Sequence, residues 1–437
     1  MESEYVVRLI YEYNPHLRGG SFVVPEFRRN LFFELRKWIP KKQAMAVVGL
    51  RRVGKTTLLR QIMAESLDDS VFFSFDEEEM QKKEVLVFVL DYILANLKPK
   101  RIFLDEIHYV DDWEGVLKRY YDQKGVKFVL SGSESLELSK AKSALAGRLV
   151  TFRLDSLRFS EYMGLKGEKI PPAPQIEDFP AVEAYYLSLT PEKERYEKEF
   201  TEYLFKGAFP EIVAEDDESV IRRYISDLVV KKIIYRDIPS IFEVRRKDLL
   251  YAIFRYACNS SSNLFDVKNL ASTFSANQET VANYLSYLHN AFLLKTSEVY
   301  SKSPAKTARR NKKLHVTHPA IAFAVLGYSR SLLVEKILGQ YVESLLSDEN
   351  FWRDKQKNEV DIVLKKQPLL PVEVKFQNQV SGPDLKGLLK FMEIEGLGKG
   401  VVVTKNVFEK KQPKNKQILV IPAWLYSLLQ VKPPFVP

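Results

Sequence analysis

Gly49-Leu50-Arg51-Arg52-Val53-Gly54-Lys55-Thr56, followed by Thr57, fits the pattern G-x-x-x-x-G-K-[ST]. An apolar run, Ala44 to Val48, precedes it and reads as a buried strand. After it, Leu58, Leu59 and Ile62 recur on one face of a helix. Strand, loop and helix are the context the pattern requires. Glycines let the backbone turn so tightly that successive N–H groups face one anion. The N-terminus of the following helix adds a positive dipole end. A nucleotide's phosphates would then lie against Gly49, Arg51, Arg52, Val53, Gly54, Lys55, Thr56 and Thr57. Lys55 would reach the β- and γ-phosphates, and Thr56 would place its hydroxyl on Mg²⁺. The bland alternative is a chance loop rich in glycine and basic residues.

A second stretch works against that alternative. Arg101-Ile102-Phe103-Leu104-Asp105-Glu106 reads as an apolar strand ending in two carboxylates. Strands of a parallel sheet are buried on both faces, and ligands gather at their carboxyl ends. Asp105 is expected to hold Mg²⁺, directly or through water, and Glu106 to orient or deprotonate the attacking water. A third run, Lys127 to Ser133, ends in hydroxyls at the same edge. Ser131 or Ser133 can sense the γ-phosphate, or the pair can cap a helix over 134–138.

Taken in order, Gly49–Thr57, Phe103–Gly115, Val129–Ser135 and Leu145–Arg148 resemble a prokaryotic, including archaeal, family of AAA+-type P-loop ATPases. The resemblance covers nearly the whole chain. It implies a C-terminal region of unknown function that combines a winged helix with a restriction-nuclease-like fold. It also implies a place for Arg148 near the nucleotide, contacting the γ-phosphate in cis or from a neighbouring subunit. The residue-level alternative for Arg148 is a surface or salt-bridged arginine. Phe27 to Ile39 reads as an amphipathic helix with Leu31, Leu35 and Trp38 on one stripe. In the resembling family this segment leads into the core and lies near the adenine.

The chain has 437 residues, enough for two to four domains, and 46% hydrophobic with 28% charged residues is ordinary for a globular protein. No apolar run suffices to span a bilayer, and the start is too charged for a signal peptide. A single cysteine, Cys258, excludes internal disulfides and cysteine-cluster metal sites. A cytoplasmic location without membrane contact is the expectation. The net charge of +9 permits nucleic acid as a partner without demanding it.

From Ala44 to Leu154 strands and helices alternate, which predicts an α/β core with a parallel sheet. The domain reading is an ATPase core over 1–155, a helical lid or connector over 156–240, a winged helix over 241–318 and a restriction-nuclease-like α/β domain over 319–437. Pro171 to Pro174 marks a rigid break, and Gly207 to Glu211 is a turn that also recurs in the family. Ser275 and Gln278 are spaced as a capping box before a helix with Val281, Tyr284, Leu285 and Leu288 inward. Asn277, Glu279, Asn283 and Ser286 face outward, so this helix offers no basic face to a major groove.

Lys302, Lys306, Arg309, Arg310, Lys312 and Lys313 form a basic run that reads as an exposed wing. It is either a phosphate-tracking nucleic-acid contact or plain solvated surface. The family often carries an acid shortly after this run, where this chain has Thr317-His318-Pro319. Beyond it, Asn358 to Leu364 and Leu370 to Lys375 read as a hairpin bringing Asp361 near Glu373 and Lys375. The constellation resembles a restriction-nuclease site, and Glu343 on the preceding helix matches a further metal-side acid. The expectation is a divalent ion held by Glu343, Asp361 and Glu373, with Lys375 beside it; the alternative is alternating charge on a solvated strand.

Three functions follow as expectations. The first is an ATP- and Mg²⁺-dependent ATPase that rearranges a C-terminal DNA- or protein-binding module, with oligomers allowed. The second is a nucleotide-gated interaction protein with an inert nuclease-like domain. The third is an ATP-dependent DNA endonuclease.

Overall fold

A computed structural model describes residues 2–132, 145–303, 312–332 and 335–429. Ser133, Lys306, Arg309, Arg310 and the helix expected over 134–138 lie outside the described residues. The chain divides into two compact units at Asp155/Ser156. Among the described residues no helix is long and apolar enough to cross a membrane.

The first unit is built on five strands, β1 (Ala44–Val48), β2 (Ser70–Ser74), β3 (Arg101–Asp105), β4 (Lys127–Gly132) and β5 (Leu149–Arg153). Their order is β2-β3-β4-β1-β5, and every pairing is parallel. The apolar runs read from the sequence are these strands; the second, expected over Val71 to Phe75, lies one residue earlier, and the fifth, expected over Leu149 to Leu154, ends one residue sooner. All five residues of β1 are buried, as a parallel strand covered on both faces must be. Helix Lys55–Ala64 returns from β1 and buries Leu58, Leu59, Ile62 and Met63. The N-terminal helix Glu2–Tyr13 delivers Asn14 to the edge strand β2. The Asn14 amide donates to the Phe72 carbonyl at 2.7 Å and accepts from the Phe72 N–H at 2.8 Å. One side chain thereby stands in for a missing neighbour strand and closes the edge.

The second unit contains two five-stranded sheets. The first has the order β10-β9-β7-β8-β6, from β6 (Asn263–Phe265), β7 (Leu294–Val299), β8 (Lys312–Val316), β9 (Asn350–Arg353) and β10 (Glu359–Val360). The second has the order β11-β12-β13-β15-β14, from β11 (Ile362–Leu364), β12 (Leu370–Lys375), β13 (Lys399–Thr404), β14 (Glu409–Lys411) and β15 (Gln417–Pro422). The region read as a winged helix runs helix Lys247–Asn259, β6, helices Val267–Thr273 and Gln278–Asn290, β7 and β8. Its inward set Val281, Tyr284, Leu285 and Leu288 is buried, and Asn277, Glu279, Asn283 and Ser286 are exposed.

Three expectations change here. The helix Gln278–Asn290 is capped by Asn277, whose side chain accepts from the Glu279 N–H at 2.8 Å, and not by a Ser275–Gln278 box. Asparagine accepts from a first-turn N–H as well as serine does, and it sits one residue before the helix. The expected strand 358–364 is split at Asp361: Glu359 and Val360 pair with β9, and Ile362 to Leu364 pair with β12. Asp361 is thus the residue at which the chain passes from one sheet to the other. Third, β8 claims Lys312 and Lys313 from the basic run.

Helix Pro319–Leu326 is buried along nearly its whole length. His318 caps it, its Nδ1 accepting from the Ala320 N–H at 3.2 Å. The core of the terminal region packs Phe391 of helix Lys386–Ile394 against Trp352, Val360, Val402 and Val420. Each such side chain taken from water stabilises the fold by about 1.5–3 kcal/mol.

Candidate functional site

The loop Gly49–Gly54 connects β1 to the helix that begins at Lys55. A Cβ on Gly49 would lie 2.2 Å from the Leu154 carbonyl oxygen, so only glycine fits. Gly54 turns with φ 100° and Arg52 with φ 64°, which aims the following amides inward. Lys55 is 6% exposed, and its ammonium donates to the carbonyls of Gly49 at 3.1 Å and Leu50 at 3.2 Å. It also lies 3.8 Å from Glu106 Oε1.

β3 carries Asp105 and Glu106 to the same edge. Thr56 Oγ1 donates to Asp105 Oδ2 at 2.8 Å, and Ser131 Oγ donates to Asp105 Oδ1. Ser131 Oγ also accepts from the Glu106 N–H at 3.1 Å. One hydroxyl from β4 thus holds the side chain of the first acid and the backbone of the second. Burial, then the neighbouring Glu106, raises Asp105 to about 6. Glu106 stands in the left-handed region at φ 52°, a conformation that turns its carboxylate away from the strand direction. His108 Nδ1 lies 3.2 Å from Glu106 Oε2. Burial, with the charges of Lys55 and Arg51, lowers His108 to about 4, so its ring is neutral at pH 7.

The residues fit a nucleotide with Mg²⁺. A hydroxyl and a buried carboxylate 2.8 Å apart are the hard oxygen donors Mg²⁺ takes, and a helix N-terminus with glycine-rich amides faces the same place.

Arg148 is not at this edge. The Ala44 N–H donates to the Arg148 carbonyl at 2.7 Å, which puts Arg148 at the amino ends of β1 and β5. The loop follows the carboxyl end, roughly 16 Å away along a five-residue strand. The Arg148 guanidinium pairs with Asp122 through bonds of 2.9 and 3.2 Å. A contact in cis to the γ-phosphate is therefore overturned, because a parallel strand separates the two ends.

Two residues at the loop carry no motif signal. Arg29, 7% exposed, donates to the Val53 carbonyl and to the Asp155 carbonyl, each at 2.9 Å. It pins the loop to the end of the first unit. Arg153 ends β5 opposite Val48, at the nucleotide edge, and pairs with Asp155 at 2.6 Å.

The structure gathers the terminal acids as expected but around a different cation. Lys313 Nζ lies 2.6 Å from Glu343 Oε1, 2.6 Å from Glu359 Oε1 and 3.4 Å from Asp361 Oδ1. Asp361 Oδ2 accepts from the Val374 N–H at 2.8 Å, and Lys375 Nζ pairs with Glu373 Oε1 at 2.5 Å. Burial, then Asp361, raises Glu343 to about 8 and pushes Glu373 well above the carboxylate range. Glu359, which sequence reading passed over, completes the cluster. Among the described residues no three His, Cys, Asp or Glu side chains are placed to hold a metal ion. The expected divalent site of Glu343, Asp361 and Glu373 is not formed among the described residues: an ammonium stands among the acids.

Of the two described lysines expected at a nucleic-acid contact, Lys313 is withdrawn into the fold and Lys312 stays on the outer face. Residues alternate across a strand, so Lys312 points out to Glu298 at 2.6 Å while Lys313 is 3% exposed. Lys302 pairs with Glu395 at 3.0 Å.

Residues 41–163 match the family model described as AAA domain, and this part of the chain is an AAA-type ATPase domain on a parallel-sheet P-loop core. Residues 197–332 and 333–426 match two models described as domains of unknown function, DUF8612 and DUF4143. The uncharacterized protein MJ1544 of Methanocaldococcus jannaschii is 26% identical over 420 residues, 90% of this chain and 89% of the relative. MJ1637 of the same organism is 26% identical over 294 residues, 63% of this chain and 60% of the relative. Among solved structures, the Holliday junction branch migration motor RuvB of Thermotoga maritima aligns at TM-score 0.32 and 18% identity, over 71% of this chain and 99% of that one. Hsp104 of S. cerevisiae aligns at 0.29 and 14%, over 62% and 40%.

Proposed function

We propose that this chain binds ATP with Mg²⁺, hydrolyses it, and uses the turnover to rearrange its second unit, the module that contacts DNA or a protein partner. The observation that carries this reading is the joining of Thr56 to Asp105 beside the Lys55–Glu106 pair. In it Thr56 and Asp105 would hold Mg²⁺, which would offset phosphate charge. Lys55 meets the β- and γ-phosphates. Glu106 orients the attacking water and takes its proton, with the neutral His108 fixing the second carboxylate oxygen. Ser131 keeps both acids in register. Any role of Arg148 at a nucleotide falls on a neighbouring copy, which makes an oligomer part of the proposal.

The test is phosphate release and ATP binding by Lys55→Ala and Glu106→Gln. Lys55→Ala loses binding; Glu106→Gln keeps it and turns over at least about 100-fold more slowly. A wild-type rate in Glu106→Gln refutes the assignment. Turnover with and without DNA then decides the class of partner. In the proposed architecture 241–318 is a winged helix and 319–437 a restriction-nuclease-like domain, in keeping with the helix–strand–helix–helix–strand–strand order and the mixed sheet around β12. The Lys313 cluster favours the second reading for that terminal domain: a fold used for contacts and not for metal-dependent cleavage.

A further inference from the structure

Three acids share one pocket only where a positive charge stands between them or some of them hold a proton. Glu343, Glu359 and Asp361 come from a helix, a strand of one sheet and the crossing point to the other. An ammonium has three N–H donors, and each of the three acids presents one acceptor oxygen within 3.4 Å of Lys313 Nζ. The lysine does not arrive on a loop. Its backbone is paired on both sides in β8, opposite Leu264 of β6 and Ser297 of β7. The ring of Phe351, 5.2 Å from the ammonium, packs against it. A side chain so placed has no exposed position to retreat to if a metal ion arrives.

We propose that Lys313 is the resident cation of this pocket: it occupies the place of a divalent ion among Glu343, Glu359 and Asp361, so these acids bind no metal while it is present. The pocket itself keeps the chemistry of a divalent site. Its free donors are carboxylate oxygens from three segments, the hard ligands that Mg²⁺ and Mn²⁺ take. The three acids are not placed around an ion while Lys313 stands among them; removing the ammonium leaves their carboxylates free to close on one. Glu359, which sits opposite Arg353 and bonds it at 2.6 Å, is held in place independently of Lys313. The inference stands apart from the ATPase reading, because no residue in it belongs to the nucleotide site.

The experiment is Mn²⁺ titration of the nucleotide-free full-length chain, with free Mn²⁺ read by its paramagnetic resonance signal. Wild type, Asp361→Asn, Lys313→Met and the Lys313→Met/Asp361→Asn double variant are compared, so that any ion at the ATPase site is common to all four. Wild type and Asp361→Asn are expected to bind equal amounts. Lys313→Met is expected to gain about one Mn²⁺ per chain and a metal-dependent rise in melting temperature, both lost in the double variant. Binding by wild type that depends on Asp361 overturns the proposal, and so does a folded Lys313→Met that gains nothing. Should Lys313→Met fail to fold, the comparison of wild type with Asp361→Asn decides by itself: equality supports the resident lysine and a difference refutes it.

Discussion

Thr56 and Asp105, 49 positions apart, meet through a hydrogen bond of 2.8 Å at the carboxyl edge of the first sheet. Each belongs to a separate motif. The parallel pairing of β1 and β3 with β4 brings the two motifs together, and Ser131 of β4 completes the contact.

That contact makes nucleotide binding depend on pH. Asp105 is raised to about 6, so below that value it holds a proton that Mg²⁺ must displace. The affinity for MgATP is expected to fall by up to about tenfold for each pH unit below 6 and to level off above 7. Dissociation constants measured from pH 5 to 8 with a non-hydrolysable ATP analogue and Mg²⁺, with Glu106 intact, check this. If Asp105→Asn shows the same slope, another group is responsible.

Gly49→Ala forces a Cβ to within 2.2 Å of the Leu154 carbonyl. The acceptor is backbone, so relief requires β1 and the segment after β5 to separate. A loss of about 1–3 kcal/mol is expected, together with loss of ATP binding. Gly382→Ala, with open space around its Cβ, is the control. Equal melting temperatures for the two variants contradict the close approach.

Arg29→Met removes a buried guanidinium that donates to Val53 and Asp155 and leaves both carbonyls without it. Charged hydrogen bonds of this kind are worth roughly 1.5–3 kcal/mol each. Denaturant unfolding should show a loss of that order, and ATP should bind more weakly because the loop has lost its tether. An unchanged affinity separates the tether from the loop's function.

His318 is lowered to about 3 by burial and by Lys295. A histidine depressed below its unfolded value of about 6.5 is neutral in the fold but takes a proton when the chain unfolds. Stability therefore falls as pH drops from 6.5 toward 3 and is unaffected above 6.5. His318→Asn keeps a capping acceptor without the titration. Its stability should decline less steeply than wild type over that window; parallel curves would exclude His318 as the cause.

Lys312 and Lys313 are adjacent but face opposite sides of β8. Lys312→Gln breaks a half-exposed pair with Glu298 and should cost less than about 1 kcal/mol. Lys313→Gln strands buried carboxylates and should cost about 3–5 kcal/mol. Similar melting temperatures for the two would mean that Lys313 is solvated.

The nucleotide edge was legible because its signals are local. Glycine at Gly49 and Gly54, an apolar run before them and a helical stripe after them are demands of the backbone within one segment, visible wherever that segment ends up. The same holds for the five strand runs and for the inward stripe of Gln278–Asn290. The Ser275 reading failed within that local range, since Asn277 competes for the same first-turn N–H groups.

The amino-acid sequence by itself determined a phosphate loop, a pair of acids at a strand end, five strands and a cluster of acids late in the chain. Only the tertiary structure decided which ends of those strands meet. It moved Arg148 to the far edge of the sheet, since a parallel strand separates its two ends however near they are in sequence. It also brought Arg29 to Val53 and set Lys313 among Glu343, Glu359 and Asp361. A basic run reads as solvated surface because charge costs free energy to bury. Whether a lysine escapes that cost depends on carboxylates that other segments bring to it, and their arrival is a property of sheet pairing.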